Sequence, residues 1–250
     1  MGKKRVSLTI DEDTVESLAE RAQMKDLNRS EMVGEILEDY MSQEEIRTAV
    51  ILAGDSERKA LEEYKGRTVI EHVLERVSSI VDRLIILTGN NREEIESRLG
   101  SEFDGSAVEY VSEKPKGTAA AVRNIRKKVE GTFIVMNGHV ITDIDFREMI
   151  RTHRDAERIA TMALTTVEDP SNYGVARMKG RKILGFVEKP EPEEEPSRLI
   201  NAGTYIMDEE IFDEIEGDSL EKGFRKLASA SELTGYIYGG EWIDVSEQDL

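Results

Sequence analysis

The sequence predicts an α/β fold: a doubly wound sheet preceded by a small strand-helix-helix module. Three observations carry this. Apolar residues alternate in residues 4–10 and then repeat at helical spacing twice before residue 42. From residue 48 onward strand-like and helix-like segments follow one another in turn. Gly54 and Gly138 fall just past two apolar strand runs, where open sheets of this kind hold ligands.

The first module is read element by element. Val6, Leu8 and Ile10 lie on one face of the predicted strand, and Arg5, Ser7 and Thr9 on the other. Asp11 is placed to cap a helix, with Glu12 and Asp13 in its positively polarised first turn and Val15, Leu18, Ala19 and Ala22 as its apolar stripe. The pattern breaks near residues 25–27. Asn28, followed by Glu31, makes a capping-box start for a second helix carrying Val33, Ile36, Leu37 and Tyr40. A lone strand has no partner within so small a unit, and two copies pairing their strands antiparallel would satisfy it.

Residues 42–46 contain neither Gly nor Pro, so the second helix is expected to run almost directly into the next unit. The boundaries expected are 1–43 and 47–250. In the second part, residues 48–53 form an apolar strand, 69–80 a helix, 83–88 a strand, 92–99 a helix, 108–111 a strand, 118–129 a helix and 132–136 a buried strand. Residues 146–155 read as a helix. Longer strands follow at 159–166, 174–177, 183–188 and 203–207. Residues 191–195, acidic and flanked by prolines, read as a solvated loop, and Asp143 and Asp145 mainly as helix-start residues.

Composition limits the function classes. The net charge of −18 weighs against broad, non-specific nucleic-acid binding and leaves room only for a local basic contact. Zero cysteines exclude disulfides and thiolate metal sites, so any metal would sit on carboxylate or imidazole. No apolar run approaches the roughly 18 residues of a bilayer span and the start lacks a signal-peptide core, so no membrane partner and a cytoplasmic location are expected.

Across residues 3–41, with Leu27-Asn28-Arg29-Ser30-Glu31 as the inter-helix turn, the chain resembles the ribbon-helix-helix family of dimeric repressors. The resemblance implies a homodimer or higher oligomer whose paired strands enter the major groove of a specific operator DNA. Lys4, Arg5, Ser7 and Thr9 would face it, and Asn28, Arg29 and Ser30 would hold a phosphate at the start of the second helix. The competing reading is a dimerisation clip with a polar face, since residues 1–46 carry more acid than base.

From residue 47 onward the chain resembles the sugar-1-phosphate nucleotidyltransferase family. Eight blocks match in order: Leu52-Ala53-Gly54, Ile70-Glu71-His72, Gly117-Thr118-Ala119, Asn137-Gly138, Tyr173-Gly174-Val175, Val187-Glu188-Lys189-Pro190, Asn201-Ala202-Gly203 and Trp242-Ile243-Asp244-Val245. The resemblance implies a Rossmann-like nucleotidyltransferase-fold sheet and a ligand that is a sugar nucleotide, sugar phosphate or related metabolite. It implies that Leu52, Ala53, Gly54, Gly117 and Thr118 meet the nucleotide. Tyr173, Gly174, Glu188, Lys189 and Asn201 would meet the sugar and its phosphate. The alternative is that these glycine-containing blocks shape turns and core contacts.

Two departures bear on activity. The family's glycine-rich loop is replaced by Gly54-Asp55-Ser56-Glu57-Arg58-Lys59, leaving Arg58 and Lys59 as the catalytic cations if the protein is active. His139 stands where the family has an aspartate that binds magnesium, while the partner aspartate is kept as Asp244. A metal on His139 and Asp244 would shift preference from Mg²⁺ toward Mn²⁺ or a later metal. The preferred reading is a dimeric transcription regulator with a degenerate, ligand-sensing transferase domain that requires no cofactor. One alternative is an active transferase, using Mg²⁺ or Mn²⁺, with an appended dimerisation domain. The other is a structural or protein-interaction role for the degenerate domain.

Overall fold

The computed structural model describes residues 6–42, 46–54, 57–112, 117–191, 193 and 195–246; for residues 38–42 the backbone alone is described. The chain divides into two compact units, Met1–Glu45 and Ile46–Leu250.

In the first unit residues 6–10 have no ladder partner among the described residues. The strand expected over residues 4–10 is therefore not formed among the described residues; Lys4 and Arg5 lie outside them. Helix α1 (Glu12–Met24) starts where the Asp11 carboxylate accepts the Thr14 amide. It ends at a turn in which Asp26 takes a left-handed φ of 56°, a position that glycine more often fills. Helix α2 (Arg29–Ser42) opens on a reciprocal capping box: the Glu31 carboxylate accepts the Asn28 amide at 2.8 Å and the Asn28 side chain accepts the Glu31 amide at 3.0 Å. Ala22 and Met32 are buried, one from each helix.

The second unit is a three-layer αβα sandwich. Its strands are β1 (Thr48–Leu52), the short hairpin β2 (Glu63–Tyr64) and β3 (Arg67–Thr68), β4 (Arg83–Leu87), β5 (Glu102–Phe103), β6 (Ser106–Val111), β7 (Phe133–Asn137) and β8 (Val140–Thr142). They continue with β9 (Ala160–Thr166), β10 (Gly174–Lys179), β11 (Lys182–Glu188), β12 (Leu199–Met207), β13 (Leu233–Ile237) and β14 (Trp242–Asp244). Helices α3 (Val69–Val77), α4 (Arg92–Leu99), α5 (Thr118–Arg123), α6 (Phe146–Ala156), α7 (Ile211–Glu214) and α8 (Leu220–Ala230) complete it.

Ten strands form one sheet in the order β10-β11-β13-β9-β12-β7-β1-β4-β6-β5. Strand β1 runs parallel to both β4 and β7, and β4 runs parallel to β6. The chain therefore winds outward from β1 through β4 and β6, then returns to β1's other side as β7. That reversal is a topological switch point, and it opens a crevice at the C-terminal ends of β1 and β7. The second half is mostly antiparallel around β12, with β13 parallel to β9.

Alternation along β1 divides the core between the two faces of the sheet. Ala49 and Ile51 pack with α3, α4 and α6 through Val73, Leu74, Ile95 and Met149. Val50 faces the other way and joins Val122, Phe224 and Leu227 of α5 and α8. Three helix starts have legible causes. Thr68 and Glu71 make a capping box at α3, Asp145 accepts two amides at α6, and Gly117 leads into α5.

In the second unit the structure departs from the sequence reading at one helix and in several elements that were not expected. The helix expected over residues 118–129 ends at Arg123, and the chain continues in turns closed by bonds such as Ile125 N to Val122 O and Arg126 N to Arg123 O. Here tertiary contacts override helical spacing: Ile125 is buried and Arg126 reaches Asp213, 87 residues away. Strands β2, β3, β5, β8, β13 and β14 and helices α7 and α8, none of which was read from periodicity, fill the remainder. The β8–β14 pairing is antiparallel, with Asp244 opposite Val140.

Candidate functional site

The crevice at the switch point is a cavity of about 500 Å³. Leu52 and Gly54 of the β1 end, Gly117 and Thr118 of the α5 start, and Asn201 of β12 line it. Gly54 is pressed against the loop after β4: a Cβ on Gly54 would stand 3.0 Å from the Gly89 amide nitrogen. That close approach needs both glycines. Ala53 lies behind the wall, its amide donating to Leu87 O at 3.0 Å.

A bulge aims two side chains inward. The register of β12 against β9 shifts between Asn201 and Tyr205, with Gly203 at φ +73°. The Asn201 amide group donates to the Tyr205 hydroxyl at 2.7 Å while its carbonyl accepts the Gly203 amide at 3.0 Å. Burial pushes the Tyr205 phenol upward, opposed by the Asn201 bond and helped by Glu221 and Glu188, so it stays protonated. The α8 start forms the opposite wall. Leu220 donates its amide to Thr118 Oγ1 at 3.2 Å, and Ala119 donates to Asp218 O at 3.2 Å.

His139 also lines the cavity. The β8–β14 pairing brings Asp244 to it, with His139 Nε2 and Asp244 Oδ1 4.0 Å apart. Asp244 is buried, and its Oδ1 accepts both the amide and the hydroxyl of Ser246. This donor set does not suit Mg²⁺, which prefers an octahedron of oxygens. There is one carboxylate, half of it engaged, next to an imidazole, and no cluster of three His, Asp or Glu side chains suited to a metal occurs among the described residues.

Other expected site residues lie apart from the cavity lining. Tyr173 stands edge-on to Trp242 at 5.3 Å, whose indole N–H donates to Ala202 O at 3.2 Å. Gly174 is buried where a Cβ would meet the Phe186 ring at 2.2 Å. Lys189, at φ 46°, donates its amide to Tyr173 O, and Glu188 is exposed at the end of β11. Its carboxyl is held above the usual carboxylate range by crowding protein atoms and then by Glu221, with Lys189 and Arg225 opposing. Arg58, left-handed at φ 64°, pairs with Glu94, and Lys59 pairs with Glu62 at 3.0 Å; neither lines the cavity. Asp55 lies outside the described residues. In the first unit Ser7, Thr9, Asn28, Arg29 and Ser30 are all exposed.

Several lining residues escaped sequence reading. Gly89 and Asn90 had a signal in the Gly-Asn-Asn turn beyond β4, whereas Leu220 and Glu221 had none, being carried in from a distant helix. The described lining residues include one imidazole, His139, and one carboxylate, Glu221, and no Lys or Arg.

A mixed sheet whose parallel half holds a crevice at the switch point defines an open-sheet α/β protein, here joined to a capped helix pair with an exposed apolar arm. Comparison with known proteins makes this specific. The Nucleotidyl transferase family matches residues 52–248, and the family of ribbon-helix-helix proteins of the copG type matches residues 4–44. The chain belongs to the nucleotidyl transferase family and carries a ribbon-helix-helix domain at its N-terminal end.

Among curated relatives, the bifunctional protein GlmU of Methanococcus maripaludis is 29% identical over 201 residues, covering 76% of this chain and 47% of the relative. The mannose-1-phosphate guanylyltransferase catalytic subunit beta of Drosophila pseudoobscura pseudoobscura is 33% identical over 200 residues, covering 76% and 53%. The chain thus spans about half the length of these relatives. Solved structures share the fold. A UDP-glucose pyrophosphorylase complexed with UDP-glucose has a TM-score of 0.71 at 19% identity, covering 81% of this chain and 94% of that one. The UDP-glucose pyrophosphorylase from Acinetobacter baumanii has a TM-score of 0.71 at 18%, covering 80% and 88%. Among the described residues no helix is long and apolar enough to cross a membrane.

Proposed function

We propose that this protein is a dimeric DNA-binding transcription regulator whose nucleotidyl transferase domain senses a sugar nucleotide, sugar phosphate or related metabolite instead of making one. The observation that carries the reading is the separation of the two halves of a transferase site. Leu52, Gly54, Thr118 and Asn201, to which the resemblance gives recognition, wall one cavity. Arg58 and Lys59, the cations left by the shortened loop, pair with Glu94 and Glu62 outside it. Nucleotidyl transfer spreads charge over the attacked phosphate and the departing pyrophosphate, and a crevice lined by no described Lys or Arg has little to stabilise it.

The DNA half of the reading rests on the ribbon-helix-helix match and on the exposure of Ser7 and Thr9 beside the apolar Val6, Leu8 and Ile10. Pairing two copies through residues 6–10 buries the apolar face and leaves the polar one for base edges. The short join, without Gly or Pro, supplies a route for coupling.

The test has two arms. Pyrophosphate release is measured across the common NTPs and hexose-1-phosphates, with Mg²⁺ and with Mn²⁺; the expected result is no turnover above the Asp244→Ala protein, and turnover lost in that variant would make this an enzyme. A duplex selected from a random pool is then titrated with and without UDP-glucose, GDP-mannose and hexose-1-phosphates. A change in DNA affinity above about twofold is expected for one of them, because regulation requires differential affinity between states.

A further inference from the structure

The pair formed by His139 and Asp244 carries a more specific statement, resting on the ligand-binding reading above. We propose that the crevice binds its ligand without a divalent cation, and that the imidazole of His139 occupies the place from which a cation would otherwise bridge protein and phosphate.

Three features of the site support this. First, the electrostatics are wrong for a hard dication. A carboxylate pair would place two negative charges at the ion, and here the second group is an imidazole whose Nε2 is 4.0 Å from Asp244 Oδ1. Second, one Asp244 oxygen is already engaged. Its Oδ1 accepts two hydrogen bonds from Ser246, and the residue is buried. Third, apart from the Glu221 carboxylate and His139 itself the polar lining includes Thr118, Asn137, Asn201 and Asn90, which are neutral donors and acceptors suited to hydroxyls, amides and a base edge. His139, three-quarters covered but lining the cavity, is placed to donate a hydrogen bond to a ligand oxygen directly. A ligand held in this way has its nucleoside or sugar gripped by neutral groups, and its phosphate needs no metal escort.

The His139→Asp variant inverts the argument. It restores a carboxylate pair, and one extra unit charge about 4 Å from an ion at intermediate dielectric raises cation affinity by at least about tenfold. Two measurements use the full-length protein. Calorimetric titration with UDP-glucose and GDP-mannose is run in Mg²⁺ and in excess EDTA. Mn²⁺ binding is followed by electron paramagnetic resonance without nucleotide, on the wild type and on His139→Asp and Asp244→Ala.

The expected wild-type result is the same affinity, within about twofold, in Mg²⁺ and in EDTA, with no Mn²⁺ population removed by Asp244→Ala. In His139→Asp, nucleotide binding should become at least about tenfold tighter with Mg²⁺ than with EDTA, and an Asp244-side Mn²⁺ site should appear. Wild-type binding that needs Mg²⁺, or wild-type Mn²⁺ lost in Asp244→Ala, overturns the proposal. So does a folded His139→Asp protein that gains no Mn²⁺ site. If no probe binds in either buffer but the Mn²⁺ site appears in His139→Asp alone, the metal-free assignment stands and the sugar-nucleotide reading fails instead.

Discussion

Gly117 offers a stringent test of how the crevice is built. Its backbone sits at φ 89°, ψ 172°, a region that side chains rarely enter, and a Cβ added there would fall 1.9 Å from the Asp218 carbonyl oxygen. Gly100 is a matched control: its φ of 71° and ψ of −153° place it in the same region, yet nothing stands within 4 Å of an added Cβ. Alanine at either position incurs backbone strain of about 2 kcal/mol. At Gly117 the steric overlap adds about 2 kcal/mol more, because Asp218 cannot retreat freely. Its carbonyl accepts the Ala119 amide, and two residues on Leu220 donates to Thr118 Oγ1, so retreat would break both bonds. For a unit of this size about 1 kcal/mol moves the melting temperature by about 3 °C, so Gly100→Ala should lower it by about 6 °C and Gly117→Ala by about 12 °C. Differential scanning calorimetry with urea unfolding reads the comparison. Equal losses in the two variants would refute the reasoning, since they would mean that the α5 start and the α8 loop are not held together at Gly117.

Two further expectations are independent of it. The Asp208 carboxyl is pushed up by burial, yet hydrogen bonds from His153 and Thr132 outweigh this and leave it below its ordinary value. A depressed folded value gives stability that is complete above the unfolded value and lost as pH falls through the folded one, so the loss should come below about pH 4. Asp208→Asn should flatten the acid limb of stability measured by urea unfolding between neutral and strongly acidic pH, and an unchanged limb would remove Asp208 from the account. In the first unit, Val6 is 72% exposed and Leu8 60%. If two copies bury this face, Leu8→Asp removes about 1.5–3 kcal/mol from each, weakening the dimer by at least about a hundredfold. Sedimentation equilibrium tests this, and unchanged self-association of the variant would place the dimer contact elsewhere.

The helix starts show how much was legible before any coordinates. Asp11, the Asn28–Glu31 pair and Asp145 act within three residues of themselves, and their hydrogen bonds form as their spacing indicates. The longer strands β1, β4, β6, β7 and β9 to β12 were legible for the same reason, since alternation and apolar runs are local, whereas the two- and three-residue strands and β13 were not. Helix α5 ended early because Ile125 and Arg126 answer to the core and to Asp213 instead of to helical spacing. The crevice was legible in part. Leu52, Gly54, Gly117, Thr118, His139 and Asn201 line it, whereas Tyr173, Gly174, Glu188 and Lys189 do not. Glu221 and Tyr205 carried no local signal: one arrives on a helix and the other is turned inward by a bulge whose register no short window contains.

By itself the sequence determined the caps, the alternation of strands and helices, the division into a small N-terminal module and a larger sheet, and the two families to which these parts correspond. These are properties of neighbouring residues or of ordered motif blocks, and they need no knowledge of distant contacts. Only the tertiary structure decided where the charges went. It paired Arg58 with Glu94, 36 residues on, set His139 4.0 Å from Asp244, and brought Glu221 to the cavity wall. The physical reason is that a charge takes its partner from whatever the fold places within a few ångströms, and in this chain the sheet's crossovers make that choice.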